Sequence, residues 1–177
     1  MQDPHAVAMA LMSLTATVAA VCSLVAGPAV PWQGRQSAVV MAAGMIASAI
    51  APTDPAVLLA VAAAGLLSAL LGTVGLRGRR HAEACFHRAL ATLVMTACAL
   101  APLGRGAGPV AVHTHGGAAP VGVVVLAGVL VVLAGALHHV RGALAGDPSR
   151  RARWLLVAEG TGMAIATAIM GVMALSG

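Results

Sequence analysis

Charged and aromatic residues are scarce in this chain. Only 8% of its 177 residues are charged and 2% are aromatic, whereas 60% are hydrophobic. A soluble globular domain carries about 25% charged residues, so this composition excludes that class. Lysine is absent and all ten basic residues are arginine, a usage typical of a GC-rich genome. Because these arginines lie in loops or at helix ends, the basic excess does not indicate nucleic-acid binding.

Motifs for catalysis and for covalent cofactors are also lacking. The chain has no Walker loop, no GxSxG, no HExxH and no paired carboxylates inside an apolar run, so we do not expect an enzyme. Its three cysteines, Cys22, Cys85 and Cys98, show no CxxC spacing, which argues against a disulfide framework. No CxxCH occurs, so covalent haem attachment is not indicated.

Long apolar runs dominate what is present. An α-helix needs about 20 apolar residues to cross the hydrocarbon core of a bilayer. The sequence predicts an all-α, polytopic membrane helix bundle over residues 1–177 as one integral membrane domain. The first run follows no basic n-region, so we interpret it as a retained helix and not as a signal peptide. The predicted spans are 6–26, 36–52, 55–76, 84–103, 119–140 and 152–174.

The arginines predict how these spans cross the membrane. Eight of them fall in the first, third and fifth loops, whereas Arg105 is alone on the opposite side. The positive-inside rule places the arginine-rich loops in the cytoplasm. We therefore expect a protein of the cytoplasmic membrane with both termini extracytoplasmic. The eight are Arg35, Arg77, Arg79, Arg80, Arg141, Arg150, Arg151 and Arg153.

One segment recurs along the chain. Residues 45–52 read MIASAIAP, residues 95–102 read MTACALAP, and residues 163–169 form a looser third copy. Under the predicted topology all three run from inside to outside. They fit three parallel helical-hairpin repeats, which are related by an axis along the membrane normal. The alternative is that alanine-rich helices resemble one another through composition alone.

The repeat places Met45, Met95 and Met163 at a similar depth near the middle of the membrane. Thioethers are soft ligands that select Cu(I), and imidazole also binds copper. These residues therefore indicate a Cu(I) site, and two further methionines lie one turn or two turns from them. The additional candidates are Met41 and Met170 in the membrane, and His5, Met9, His113 and His115 at the outer face. The alternative is that methionine only fills irregular helix contacts.

Two polar features lie nearer the cytoplasmic side. Glu159 is a carboxylate inside the last span, on one face with Met163 and Met170. An ionisable group at that depth indicates a functional site, or a structural ion pair with an arginine of a neighbouring loop. The second feature is a cluster that either binds a metal or is simply solvated. Its members are His81, Glu83, Cys85, His87, His138 and His139.

Small residues recur on the fifth span. Gly128, Gly135 and Gly142 are seven residues apart, which puts them on one stripe of the helix. Such a stripe lets two helix backbones approach closely in a membrane. It predicts a tight helix contact inside the bundle or between copies of the chain.

The methionine spacing resembles that of an uncharacterised family of small actinobacterial multi-pass membrane proteins. Their inside-to-outside helices carry His and then Met three and seven residues later. Met41 and Met45 match the Met-x3-Met part, and Met163 with Met170 preserves the interval of seven. The resemblance implies a membrane fold and, where His and Met are ligands, a soft-metal site.

Several positions depart from that pattern. Ala38 and Gly160 stand where the histidines before Met41 and Met163 would be. On the fourth span His87 is present, but the two methionine positions after it are Leu90 and Val94.

Two functions follow from these residues. One is a multi-pass protein that binds or passes Cu(I) or another soft metal through intramembrane Met and outer-face His. The other is a non-catalytic structural or accessory subunit of a larger membrane complex, in which Met and small residues only pack. In both, the lipid bilayer is the surrounding partner, and a homo-oligomer or larger assembly is compatible.

Overall fold

The computed structural model is a bundle of helices. It describes residues 4–75, 82–106, 118–145 and 150–176, and within these ranges all regular elements are helical. This confirms the predicted all-α six-helix bundle, and the predicted span ends agree to within five residues. The helices are α1 (Pro4–Val25), α2 (Trp32–Ile50), α3 (Pro55–Thr73), α4 (Ala82–Gly106), α5 (Ala118–Ala145) and α6 (Arg150–Ser176), with a short 3-10 helix at Gly27–Ala29.

Five of the described helices are long and apolar enough to cross a membrane, namely α1, α3, α4, α5 and α6. The chain is therefore a multi-pass membrane protein. Helix α2 does not meet the same limits because its first turns are polar, with Gln33, Arg35 and Gln36. Its apolar part runs over residues 38–50, which spans about 20 Å at 1.5 Å per residue.

Short polar signals set the turns between helices. Gly27 adopts a positive φ of 55°, which glycine tolerates without steric cost and which lets the chain leave α1. Pro31, in an extended conformation, precedes α2. Asp54 caps α3, because one of its carboxylate oxygens accepts hydrogen bonds from the backbone nitrogens of Ala56 and Val57, at 2.9 and 3.5 Å.

Each helix packs against its neighbours in the chain, and α6 returns to pack against α1, so the six helices form a closed ring. Helix α4 also contacts both α2 and α6 across the middle of the ring. The even-numbered helices therefore lie nearer the axis. Helices α1, α3 and α5 lie further out and expose most of their large apolar side chains.

Glycines permit close approach at several helix contacts. A Cβ atom at Gly162 of α6 would lie 3.0 Å from the carbonyl oxygen of Thr15 on α1. A Cβ at Gly128 of α5 would lie 2.8 Å from Val94 on α4. Close packing of this kind replaces the hydrophobic effect, which does not drive helix association within lipid.

Candidate functional site

Sulfur atoms are concentrated in the buried centre of the bundle. The main cluster of buried apolar residues has seventeen members, and six of them carry sulfur. We call these six the sulfur core: Met12, Met41, Met45, Met95, Cys98 and Met170. Met9 and Met163 pack against the same cluster and are partly buried.

Helical spacing accounts for the inward direction of these side chains. Met41 and Met45 are one turn apart on α2, and Met45 has no exposed surface. Met95 on α4 and Met170 on α6 are also buried. The three helices nearest the axis therefore each contribute thioethers to one region.

A small cavity of about 20 Å³ lies within this region, large enough for about one water molecule. Met41 of α2, Met95 of α4 and Met170 of α6 all line it, so each inner helix supplies one thioether. Thr92 and Thr96 of α4 add hydroxyl groups to the wall.

The predicted metal ligands fall into three sets. Met45 and Met95 belong to the sulfur core and Met163 packs at its edge, although the cavity itself is lined by Met41, Met95 and Met170. His5 lies exposed in the first turns of α1, with Met9 one turn further along. His113 and His115 lie outside the described residues. Metal binding by these groups stays a prediction.

A buried ion pair joins α4 to α6 near the N-terminal ends of these two helices. It lies at the opposite end of the bundle from Asp54. Nη2 of Arg88 on α4 donates to Oε1 of Glu159 on α6 at 2.5 Å. Glu159 is 3% exposed and Arg88 is 9% exposed. Gly34 of α2 makes room for the guanidinium, because a Cβ there would lie 2.5 Å from Nη1. Ser23 of α1 lies beside the Glu159 carboxylate without reaching hydrogen-bond geometry.

We call Ser23, Gly34, Arg88 and Glu159 the polar layer. Four helices meet there, and the layer combines the C-terminal end of α1 with the N-terminal ends of α2, α4 and α6. Consecutive helices therefore run antiparallel through the bundle. Glu159 is buried, and its partner is Arg88 within α4 and not an arginine of a loop, as the ion-pair alternative had placed it.

Hydroxyl groups connect the polar layer to the sulfur core. Thr92 donates to the carbonyl oxygen of Arg88 at 2.9 Å, and its hydroxyl is paired with that of Ser37 on α2, also at 2.9 Å. Thr96 donates to the carbonyl oxygen of Thr92 at 2.8 Å. Because Thr92 also lines the small cavity, one turn of α4 separates that cavity from Arg88.

A second, larger cavity of about 810 Å³ opens between α4 and α5. We call it the vestibule. Its polar lining comes from residues of the predicted cluster, together with the arginine of the polar layer: Glu83, His87, Arg88, His138 and His139. Its deeper walls are apolar and include Leu90, Val131 and Leu156.

The histidines of the vestibule lie at different depths. His138 and Glu83 are exposed at the mouth, with Nε2 of His138 3.8 Å from Oε1 of Glu83. His139 and His87 are partly buried, and Nε2 of His139 has no hydrogen-bond partner among the described residues. Gly135 provides the space for His87, since a Cβ at that position would overlap the imidazole ring.

Within the described ranges, no three His, Cys, Asp or Glu side chains converge on a point that could hold a metal ion. The cysteines Cys22, Cys85 and Cys98 are all free thiols. Any metal site in the described part of the chain therefore depends on methionine, or on fewer than three of those other ligands. His81 of the predicted inner cluster lies outside the described residues.

Sequence reasoning missed two members of the sulfur core. Met12 shares a helical face with Met9 on α1, a spacing that pointed to the interior. Cys98 lies three residues after Met95, so helical periodicity puts both on the same side of α4. The helical period of 3.6 residues was therefore sufficient to place both Met12 and Cys98 in the core.

Comparison of this chain with known protein families, with curated proteins and with solved structures finds no match.

Proposed function

We propose that this multi-pass membrane protein binds Cu(I) in its sulfur core. The observation that carries the proposal is the small cavity, where α2, α4 and α6 each present one thioether, from Met41, Met95 and Met170. A monovalent soft cation with few ligands suits this arrangement, because neutral thioethers favour Cu(I) over harder ions. Met45 and Cys98 lie in the same cluster as additional sulfur ligands.

The surroundings of the sulfur core fit such a cation. The walls are mostly valine, methionine, alanine and glycine, with two threonines. Glu159 lies on α6 with Met163 and Met170, and its Oε2 atom is buried without a hydrogen-bond partner among the described residues. The carboxylate charge is balanced by Arg88, so the polar layer adds no net positive charge to the interior of the bundle.

The proposed architecture is three parallel hairpins: α1–α2, α3–α4 and α5–α6. The closed ring, with α2, α4 and α6 nearest its axis, supports this proposal. The three methionines of the repeat, Met45, Met95 and Met163, then occupy equivalent helices. The same spacing supports a relationship to the small actinobacterial family with His and Met on its inside-to-outside helices.

The proposed orientation places the arginine-rich ends of the helices in the cytoplasm, with both termini outside the cytoplasmic membrane. The excess of arginine at that end supports it. His5, Met9, His113 and His115 then lie on the outer side, where they are placed to collect metal for the sulfur core.

Copper retention in reducing detergent solution tests the proposal. We expect purified protein loaded with Cu(I) under ascorbate to retain it stoichiometrically, and Met41→Leu/Met95→Leu/Met170→Leu to lose it. Exchange of Met for Leu conserves volume and costs less than about 1.5 kcal/mol per site, so the fold should survive. Met45→Leu/Met95→Leu/Met163→Leu separately tests the ligands predicted from the repeat.

Met173→Leu is the matched control, because Met173 lies on α6 outside the sulfur core. Retention of copper by both triple variants at the level of the parent would reject the proposed site. Folding is monitored in parallel by helical circular dichroism and by elution volume in detergent.

The competing proposal is an accessory subunit of a larger membrane complex or a homo-oligomer. It is favoured by α5, which packs mainly against α4 and α6 and exposes a wide apolar face including Val124, Leu130 and Leu137. In that case a defined partner or a second copy should co-purify in mild detergent. The methionine substitutions should then leave the assembly unchanged, and the purified protein should hold no copper.

A further inference from the structure

The vestibule between α4 and α5 is separate from the small cavity that forms the proposed Cu(I) site. Along α5 it extends from Ala143 to Val131, a distance of about 18 Å at 1.5 Å per residue. That is more than half of a hydrocarbon core of about 30 Å. The vestibule is therefore a groove between α4 and α5 that begins at the arginine-rich end and is lined by exposed as well as buried residues.

Imidazoles mark successive depths of this cavity. His138 is exposed at its mouth, and His139 follows it in the chain but is partly buried. His87 packs against Gly135, which lies one turn of α5 from His139, so His87 comes next along the wall. The ligands are therefore arranged in a series and not around one point, in agreement with the lack of a three-ligand group in the described ranges.

The charged lining of the vestibule consists of one carboxylate and one arginine that is paired with a carboxylate. The guanidinium of Arg88 is neutralised by Glu159, to which it is bonded. Glu83 adds a carboxylate at the mouth. Imidazole nitrogens in such a setting are ligands for copper and zinc.

The inner end of the vestibule approaches the sulfur core. Arg88 lines the vestibule, and Thr92 lines the small cavity with Met41 and Met95. The two residues are four apart on α4, about 6 Å along its axis. Thr92 donates to the carbonyl oxygen of Arg88 and is paired with Ser37, so hydrogen bonds connect lining residues of the two cavities.

We propose that the vestibule is the access route by which Cu(I) passes between the arginine-rich face of the membrane and the sulfur core, with His138, His139 and His87 as transient ligands. This inference rests on the proposed Cu(I) site. In each transfer, one neutral donor atom, an imidazole nitrogen, is exchanged for the next and finally for a thioether sulfur. The metal stays Cu(I), so no electron is transferred.

The test measures the rate of loading separately from the amount bound. Protein is reconstituted in liposomes, and Cu(I) kept reduced by ascorbate is added to one face at a time. For addition at the arginine-rich face, we expect His138→Ala/His139→Ala to load at least ten times more slowly than the parent. The copper bound at equilibrium should be unchanged. Leu144→Ala, at an exposed position of the same helix that does not line the cavity, is the control and should not alter this rate.

A second variant blocks the vestibule without removing a ligand. Gly142 lines it, and a Cβ at Gly142 would meet no atom within 4 Å, so Gly142→Phe can fill the space without a clash. We expect this variant also to load slowly from the arginine-rich face. Leu144→Phe is its matched control, because Leu144 is exposed on the same helix and does not line the cavity.

The outcomes separate the two proposals. If the parent protein retains no copper, the proposed function fails. If copper is retained and is lost in the Met41, Met95 and Met170 variant, but the histidine and Gly142 variants load at the parental rate, only the access route is wrong. Loading that occurs solely from the opposite face would also overturn the access route.

Discussion

The polar layer and the sulfur core lie close together on the same helices, yet they hold those helices by different forces. Arg88 and Met95 are seven residues apart on α4, about 10 Å along its axis. In the polar layer, a directional charge pair fixes α4 against α6, and glycine provides the room for it. In the sulfur core, flexible thioethers fill space by dispersion and impose little direction.

This difference indicates how tasks are divided along the bundle. A buried ion pair tolerates few changes, because removal of one partner leaves the other charge without compensation in a low dielectric. A core of methionine and alanine can adjust its shape, so it can admit an ion without breaking the fold. The rigid end positions the helices, and the adaptable end is suited to binding.

The largest expected effect comes from breaking the ion pair. We expect Glu159→Leu alone to lower the free energy of unfolding by about 3–5 kcal/mol, since Arg88 would remain buried and unpaired. The double variant Arg88→Met/Glu159→Leu should recover most of this loss, because apolar replacements of a buried pair are often neutral. Unfolding in mixed detergent–SDS micelles provides the measurement.

Glu83→Ala is the control for that comparison, because its contact with His138 is exposed and should contribute little. If Glu159→Leu costs no more than Glu83→Ala, the polar layer does not fix the helices. The contrast with the sulfur core would then disappear.

An intermediate effect is expected at the contact between α4 and α5. Gly135→Ala places a methyl group where the His87 ring lies, so we expect a loss of about 1–3 kcal/mol from overpacking. Gly142→Ala, two turns away on the same helix, meets no neighbouring atom and should be neutral or slightly stabilising, since alanine favours helix over glycine. Both variants are measured in the same unfolding assay. Equal effects would show that His87 does not pack against Gly135.

The smallest effect is expected at the boundary between the two regions. A double-mutant cycle of Ser37→Ala and Thr92→Val should give a coupling energy of about 0.6 kcal/mol, the average for hydrogen bonds between membrane helices. Ser68→Ala, which removes a buried hydroxyl without a partner among the described residues, is the control and should not destabilise the protein. A coupling energy of zero would show that the hydrogen bond between Ser37 and Thr92 does not link the polar layer to the sulfur core energetically.

Much of the fold could be read from individual segments of the sequence. Residues 119–137 carry no polar or charged side chain, and Asp54 stands two residues after Pro52 at a helix start, so span and cap were both predictable. The burial of Glu159 and Met170 on one face followed from helical periodicity. Helix α2 was harder, because Gln33, Arg35 and Gln36 extend a helix whose apolar part is short.

The candidate site was less predictable because it joins residues from different helices. The repeat pointed to Met45, Met95 and Met163, whereas Met41, Met95 and Met170 share the small cavity. On α2, Met45 and Met41 are one helical turn apart. On α6, Met163 and Met170 are two turns apart. The sequence pattern alone does not determine, to within one or two turns, how far one helix is shifted along its axis relative to another.

The sequence by itself determined that this protein is an all-helical bundle with membrane-spanning helices. Each backbone polar group in a membrane must be satisfied within its own helix, so length and hydropathy of each run decide where a helix forms. The tertiary structure alone decided that Arg88 pairs with Glu159 and that three inner helices bring thioethers to one cavity. Those pairings depend on the rotation and depth of each helix relative to the others. Contacts such as Gly34 with Arg88 and Gly135 with His87 set the rotation and the depth of these helices. Such contacts join residues that are far apart in the chain.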